Sequence, residues 1–341
     1  MKDEGEETRP ELVEGQKVEE TRPEPVEGQK VEETRPELVE GQAVEGMCPE
    51  PVEGMIDETT DHESRLTSHA SPFETQFVEA LDIHTAYITA GEPVGRPVVL
   101  LHGMSASADT YRETLAALAA DRWLIAPDIP GFGQSEMTQP YTMVHLVEWL
   151  AAFREALDLP PMDLVGHSFG GALAASFALS YPEDVAHLAL AAPALLVGLN
   201  YPDYLKKMSL WLRLPEAGTA VSQSNRMVQQ AVRSSSFAPN KIGDEIWERR
   251  VQEYNLARAT ADVLKLLAFY DVRAELLRLT LPVCAIWGEN DPVVLPGDAD
   301  KLRELIPNFT AHLLPECGHI VMLEKLDEFV EILKEFWGDK D

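Results

Sequence analysis

"DLVGHSFGGALAAS", Asp163 to Ser176, is the stretch on which the reading of this chain turns. Its first half is an apolar run, its second half is small, apolar and helix-favouring, and Gly166-His167-Ser168-Phe169-Gly170 joins them. These five residues match G-x-S-x-G. With each fixed residue type near 7% of average usage, a chain of 341 residues yields about 0.1 matches by chance. Position adds more than the match itself, because a sharp turn between a strand and a helix is where a serine hydroxyl can be exposed for attack. The serine of such a turn takes a strained backbone, so only small residues fit two positions before and after it, and Gly166 and Gly170 meet that demand. The helix beyond Ser168 also directs its positive end toward any oxyanion formed there.

A neutral serine is a weak nucleophile and needs a general base, itself oriented by a carboxylate. Nine histidines are available. His62 and His69 lie in a segment with no core-forming pattern, and His84, His145, His187 and His312 fall within expected strands or helices. His167 neighbours Ser168, but adjacent residues at such a turn point in different directions. His319, in "PECGHIVMLEKLDEFV", directly follows what reads as the last strand, with Gly318 allowing a sharp loop, and it is the expected base. The carboxylate should also follow a strand. "AIWGENDPVV" ends an apolar run in a turn holding Glu289 and Asp291, made firm by Pro292. Asp128, after "WLIAP", is the rival, but the glycine-rich turn after it needs it locally. The expected triad in chain order is Ser168, Asp291, His319.

The surrounding pattern is an alternation of strands and helices. "FVEALDIHTAYITAGE" alternates around Leu81-Asp82 as a pair of strands, and "RPVVLLHG" reads as a buried strand. A helix near Thr110–Ala120, the strand "WLIAPDIPG" and a helix near Thr142–Leu157 follow. After "MDLVGHS", "GGALAASFALSYP" and "VAHLALAAP" come "LPVCAIWGEND", a helix near Pro296–Leu305, "TAHLLPECGH" and "LDEFVEILKEFW". Such alternation predicts a mostly parallel sheet with helices on both faces, whose active residues gather at the carboxyl ends of its strands. Residues 195–280 interrupt the series without a convincing strand. Their amphipathic helical stretches predict a cap or lid over that edge, between core segments 73–194 and 281–341.

The first 72 residues read differently. "ETRPELVEGQKVE" from Glu7, "ETRPEPVEGQKVE" from Glu20 and "ETRPELVEGQAVE" from Glu33 are near copies, followed by a decayed "CPEPVEG" from Cys48. Of the 58 acidic and 28 basic residues, 19 and 6 lie in the first 60, where there is no aromatic residue. Such a segment is expected to be disordered. It resembles PEPVEG-type peptides read from dispersed bacterial DNA repeats, which favours translated repeat DNA, with starts at Met47 or Met55, over a docking arm.

A net charge of −30 and a pI near 4.6 argue against nucleic acid and anionic membrane surfaces as partners. Cys48, Cys284 and Cys317 form neither a CxxC pair nor an even disulfide framework, which points to a reducing cytoplasm. No signal peptide and no apolar run long enough to span a bilayer is expected, and no HExxH or phosphate-binding glycine loop suggests a metal or cofactor.

Residues 73–338 resemble a lidded single-domain α/β-hydrolase with a serine nucleophile, through "LLHGMSASADTY", "APDIPGFGQSE", "LVGHSFGGALA", "WGENDPVV" and "CGHIVMLEKLDEF". The resemblance implies an oxyanion hole built from the backbone N–H groups of Met104 and Phe169, with His102 and Gly103 shaping the first loop and His102 structural rather than catalytic. It implies acyl transfer to water on a small to medium-sized ester with an apolar acyl or aryl part, without cofactor or metal. The same motifs also resemble C–C bond hydrolases of ring-cleavage diketones. Their anionic substrates would call on Arg213, Arg226, Arg233, Arg249, Arg250 or Arg258, whereas Leu205, Met208, Trp211, Met227, Trp247 and Phe269 would favour an apolar pocket. Cofactor-free haloperoxidases, aminopeptidases and non-catalytic ligand receptors of this fold are further readings. Dehalogenase and epoxide hydrolase chemistry, run with Asp at the position of Ser168, is disfavoured.

Overall fold

The alternation around Leu81-Asp82 folds into an antiparallel hairpin of β1 (Thr75–Ala80) and β2 (Ile83–Ala90). Both turn residues have positive φ, 53° and 57°, the backbone whose twist matches that of the strands it joins. The structure, a computed structural model, describes residues 73–200, 202–216 and 225–338. The expectations for residues 1–72, including the repeats, His62, His69 and Cys48, lie outside the described residues.

After the hairpin come β3 (Val98–Leu101), α1 (Arg112–Leu118), β4 (Leu124–Pro127), α2 (Met143–Ala156), β5 (Met162–His167), α3 (Phe169–Ser180) and β6 (Val185–Ala191). The segment that follows contains α4 (Asp203–Trp211), α5 (Asn225–Arg233), α6 (Asp244–Leu256), α7 (Thr260–Phe269) and α8 (Arg273–Leu276), with no strand among its described residues. β7 (Val283–Gly288), α9 (Asp298–Leu305), β8 (Phe309–Leu314), α10 (Val321–Glu324) and α11 (Leu326–Trp337) complete the chain. The helical stretch after Ala259 divides at Tyr270. There the tyrosine hydroxyl turns inward to Ser176 Oγ at 2.7 Å, and Asp271 accepts the N–H of Arg273 to begin α8.

The eight strands form one sheet in the order β1-β2-β4-β3-β5-β6-β7-β8. Pairing is antiparallel from β1 to β2 and from β2 to β4, and parallel from there onward. Burial on both faces explains why β3, β4 and β7 read as continuous apolar runs. Alternate residues serve opposite layers. Val99 and Leu101 pack with Trp149, Phe153, Leu173 and Phe177 from α2 and α3, whereas Val98 and Leu100 pack with Leu115, Phe329 and Leu333 from α1 and α11. Each such side chain contributes about 1.5–3 kcal/mol on burial. Because β3, β5, β7 and β8 run parallel, the residues after each emerge at the same edge of the sheet.

Candidate active site

β5 ends at His167 and is followed by Ser168, whose φ of 52° and ψ of −114° are strained for a residue with a Cβ. The turn holds because nothing intrudes on it: a Cβ on Gly166 would lie 2.4 Å from Gly170 O, and one on Gly170 would lie 2.3 Å from Leu101 O. The next residue, Phe169, opens α3, and its N–H lies in the first turn, where no helical acceptor exists. Ser168 and Met104 line one cavity.

β7 ends at Gly288 and leads to Asp291, β8 ends at Leu314 and leads to His319, and the two side chains meet. His319 Nδ1 lies 2.8 Å from Asp291 Oδ2, and the Asp291 and His319 residues are 4% and 7% exposed. The other carboxylate oxygen, Oδ1, accepts the N–H groups of Val293 and Val294 at 2.8 and 3.0 Å. A carboxylate so placed accepts from Nδ1–H and leaves Nε2 as the basic nitrogen. Ser168 does not hydrogen-bond His319 in this structure; such contacts often close only around a bound substrate.

The rival carboxylate is occupied elsewhere. Asp128 Oδ1 accepts from Ala108 N at 2.7 Å and Oδ2 from Gln134 N at 2.8 Å, bridging two loops. Burial pushes its carboxyl up to about 7, against the lowering effect of those two N–H groups. Glu289, the other acid of that turn, is exposed and forms no hydrogen bond with His319.

Two further histidines stand in the site. His102 is fully buried; its Nε2 accepts the N–H of Ile129 at 2.9 Å, so the proton sits on Nδ1 and is donated to Gly103 O at 2.8 Å. Desolvation lowers its pKa to about 3, which keeps the ring neutral. That bond anchors the carbonyl end of the Gly103–Met104 peptide and therefore fixes the direction of the Met104 N–H. His167 was expected only to point in a different direction from Ser168. Its backbone sits in β5, yet its ring lies 4.8 Å from that of His319 and its Nε2–H donates to His319 O at 3.0 Å. Burial foremost, then the neighbouring His319, holds the His167 pKa well below the ordinary value. Neither contact leaves a signal in sequence spacing, because each joins the end of β5 to a loop far along the chain.

The cavity at Ser168 measures about 430 Å³. Its wall is chiefly apolar: Ala194, Val197, Leu205, Leu264, Leu267, Ala268, Val293 and Val294. Of the apolar residues expected to form it, only Leu205 does so. Trp247 is buried in the core beside α5, and Met208, Trp211, Met227 and Phe269 face solvent, Trp211 at 81% exposure. The arginines are engaged elsewhere. Arg213 pairs with Glu216, Arg233 with Asp244, Arg249 with Glu113 and Arg250 with Glu253, while Arg258 donates to Ser135 O. The Arg226 side chain lies outside the described residues. Among the described residues the cavity wall holds one cation, Lys206, which is paired with Asp203 at 2.6 Å. No group of His, Cys, Asp and Glu side chains among the described residues could hold a metal ion, and no described helix is long and apolar enough to cross a membrane.

A parallel sheet carrying a strained serine after its central strand, and a hydrogen-bonded Asp-His pair after later strands, defines an α/β-hydrolase architecture. The chain belongs to the alpha/beta hydrolase fold family, whose model matches residues 96–326. Monoacylglycerol lipase ABHD6 of Homo sapiens is 26% identical over 278 residues, covering 77% of this chain and 82% of that one. The 2-hydroxy-6-oxo-2,4-heptadienoate hydrolase of Pseudomonas putida is 28% identical over 274 residues, covering 72% and 91%. In fold, a hydrolase from Pseudomonas aeruginosa superposes with a TM-score of 0.68 at 21% identity, covering 78% of this chain and 98% of its own.

Proposed function

We propose that this protein is a serine carboxylesterase acting on small to medium-sized esters with an apolar acyl part, with residues 195–280 as its cap. The observation that carries the reading is the apolar cavity of about 430 Å³ opening on Ser168. Its size falls in the range of about 300–1,000 Å³ usual for small-molecule sites.

In this reading Ser168 Oγ attacks the ester carbonyl while His319 Nε2 takes its proton, and Asp291 holds the resulting imidazolium in place. The carbonyl oxygen, now an anion, is met by the N–H groups of Met104 and Phe169. Losing one such donor typically costs about 10²–10³ in kcat. His319 returns the proton to the departing alcohol, leaving an acyl group on Ser168. Water then attacks the acyl-enzyme with its proton taken by His319, and the acid leaves as Ser168 regains its hydrogen.

The relative that hydrolyses a heptadienoate makes C–C cleavage the competing reading. Such a substrate carries a carboxylate, and the cavity's one described cation is already neutralised by Asp203, so the ester is favoured. Turnover of p-nitrophenyl esters, measured beside a vinylogous ring-cleavage diketone, tests the choice; hydrolysis of the diketone alone would overturn it. Labelling of wild type but not Ser168→Ala by a fluorophosphonate tests the nucleophile.

A further inference from the structure

The carboxylate of Glu324, at the end of α10, collects three backbone N–H groups. Oε2 accepts from Phe237 at 2.8 Å and Gly318 at 3.1 Å, and Oε1 accepts from Ile320 at 3.3 Å. Gly318 and Ile320 flank His319. Phe237 belongs to the loop between α5 and α6, within the proposed cap. His319 is held by its own peptide groups as well: its N–H donates to Ser235 O at 2.7 Å and its carbonyl accepts from His167 at 3.0 Å. The approach is too close for side chains, since a Cβ on Gly318 would lie 2.6 Å from Ser235 O and 2.7 Å from Phe237 N. Glu324 follows the buried Val321 and Met322 in α10, and among the described residues it forms no ion pair.

We propose that Glu324 is a positioning residue that fixes His319 and makes its placement depend on the seating of Ser235–Phe237. The inference rests on the reading of His319 as the general base. The physical argument is one of constraint. An imidazole on a loop has two free side-chain torsions, and proton transfer tolerates little displacement, so the loop backbone must be held from outside the loop. A carboxylate is the suitable holder because it is acceptor-only and can take several N–H groups at once. One of those N–H groups comes from the cap, so a cap that lifts at this point removes part of the restraint on the base. Seating of the cap and readiness of the base are thereby linked.

Glu324→Gln keeps the shape but leaves one accepting oxygen, and its NH₂ would face at least one N–H donor. Displacing a catalytic group by about 1 Å can cost 10²-fold, so kcat on a p-nitrophenyl ester is expected to fall by about 10- to 100-fold with KM little changed. An unchanged kcat with a lowered Tm would make Glu324 merely structural and overturn the proposal. Hydrogen exchange on the wild-type full chain supplies a measurement that needs no variant. The amides of Phe237, Gly318 and Ile320 are expected to exchange together; opening of Phe237 while Gly318 and Ile320 stay protected would also overturn it. Failure of the underlying reading looks different: His319→Gln would then retain turnover.

Discussion

Asp291 faces His319 with one carboxylate oxygen and the backbone of Val293 and Val294 with the other. This division of labour makes the residue intolerant of a change that alters no shape. In Asp291→Asn the amide oxygen must stay on the two N–H groups, so the NH₂ is turned toward His319 Nδ1. That forces Nδ1 to accept and moves the ring proton to Nε2, the nitrogen that receives the proton of Ser168 in the proposed mechanism. The expected result is a loss of kcat of about 10⁴-fold with Tm nearly unchanged. A loss below about tenfold, or about 1.4 kcal/mol of barrier, would exclude Asp291 from the role.

Ala268 lies on the cavity wall, on α7. Ala268→Phe should shorten the acyl chain that fits without touching the strained turn. For octanoyl esters kcat/KM is expected to drop at least about tenfold, or roughly 1.4 kcal/mol, while acetyl esters are hydrolysed as before. Equal loss on both would show that the acyl group lies elsewhere.

His102 provides a pH signature in stability. Its pKa falls from 6.5 to about 3 on folding, because burial penalises the charged ring. As pH is lowered the unfolded chain takes this proton first, so the stabilisation is present above 6.5 and is lost between 6.5 and about 3. Within that window the slope is at most about 1.4 kcal/mol per pH unit. His102→Gln does not titrate, so it should be less stable than wild type at pH 8 and the gap should narrow as pH falls. Buried Asp128 and Glu253, whose raised pKa values act in the opposite sense, are present in both proteins and drop out of the difference. Parallel denaturation curves across this range would contradict the neutral, buried assignment.

Gly170 tests the turn itself. The added methyl of Gly170→Ala would press on two carbonyl oxygens of the β3 end, Leu101 O at 2.3 Å and His102 O at 2.4 Å, and neither is a flexible side-chain tip. Destabilisation by more than about 3 kcal/mol is expected in chemical denaturation. A small change would mean that β3 can yield.

The strands were legible because a sheet covered on both faces leaves apolar runs, and Val98–Leu101 and Val283–Gly288 are such runs. The contact between Asp291 and His319 was legible for a related reason: each follows a parallel strand, so both emerge at one edge. What spacing could not reveal was anything decided by the packing of helices after β6. Trp211 and Leu205 lie on the same helix and have similar apolarity, yet one faces solvent and the other the cavity. Arg249 could not be assigned either, because its acidic partner, Glu113, is remote in sequence. The contacts of His167 and Glu324 with the His319 loop were not legible, because their hydrogen-bond partners are peptide groups, which every residue carries.

The chain leaves the sheet after β6 and rejoins it at β7, two strands hydrogen-bonded to one another from Leu188 opposite Val283 to Ala191 opposite Ile286. Both attachment points of the intervening helices are therefore fixed by the sheet. Two of the contacts between that insertion and the His319 loop are made by Ser235 O and Phe237 N, main-chain atoms that any sequence following the same path would supply. At those two points the hold on His319 does not depend on side-chain identity, so cavity-wall residues such as Leu205 and Ala268 can diverge to suit a new substrate while the groups at the strand ends stay as they are.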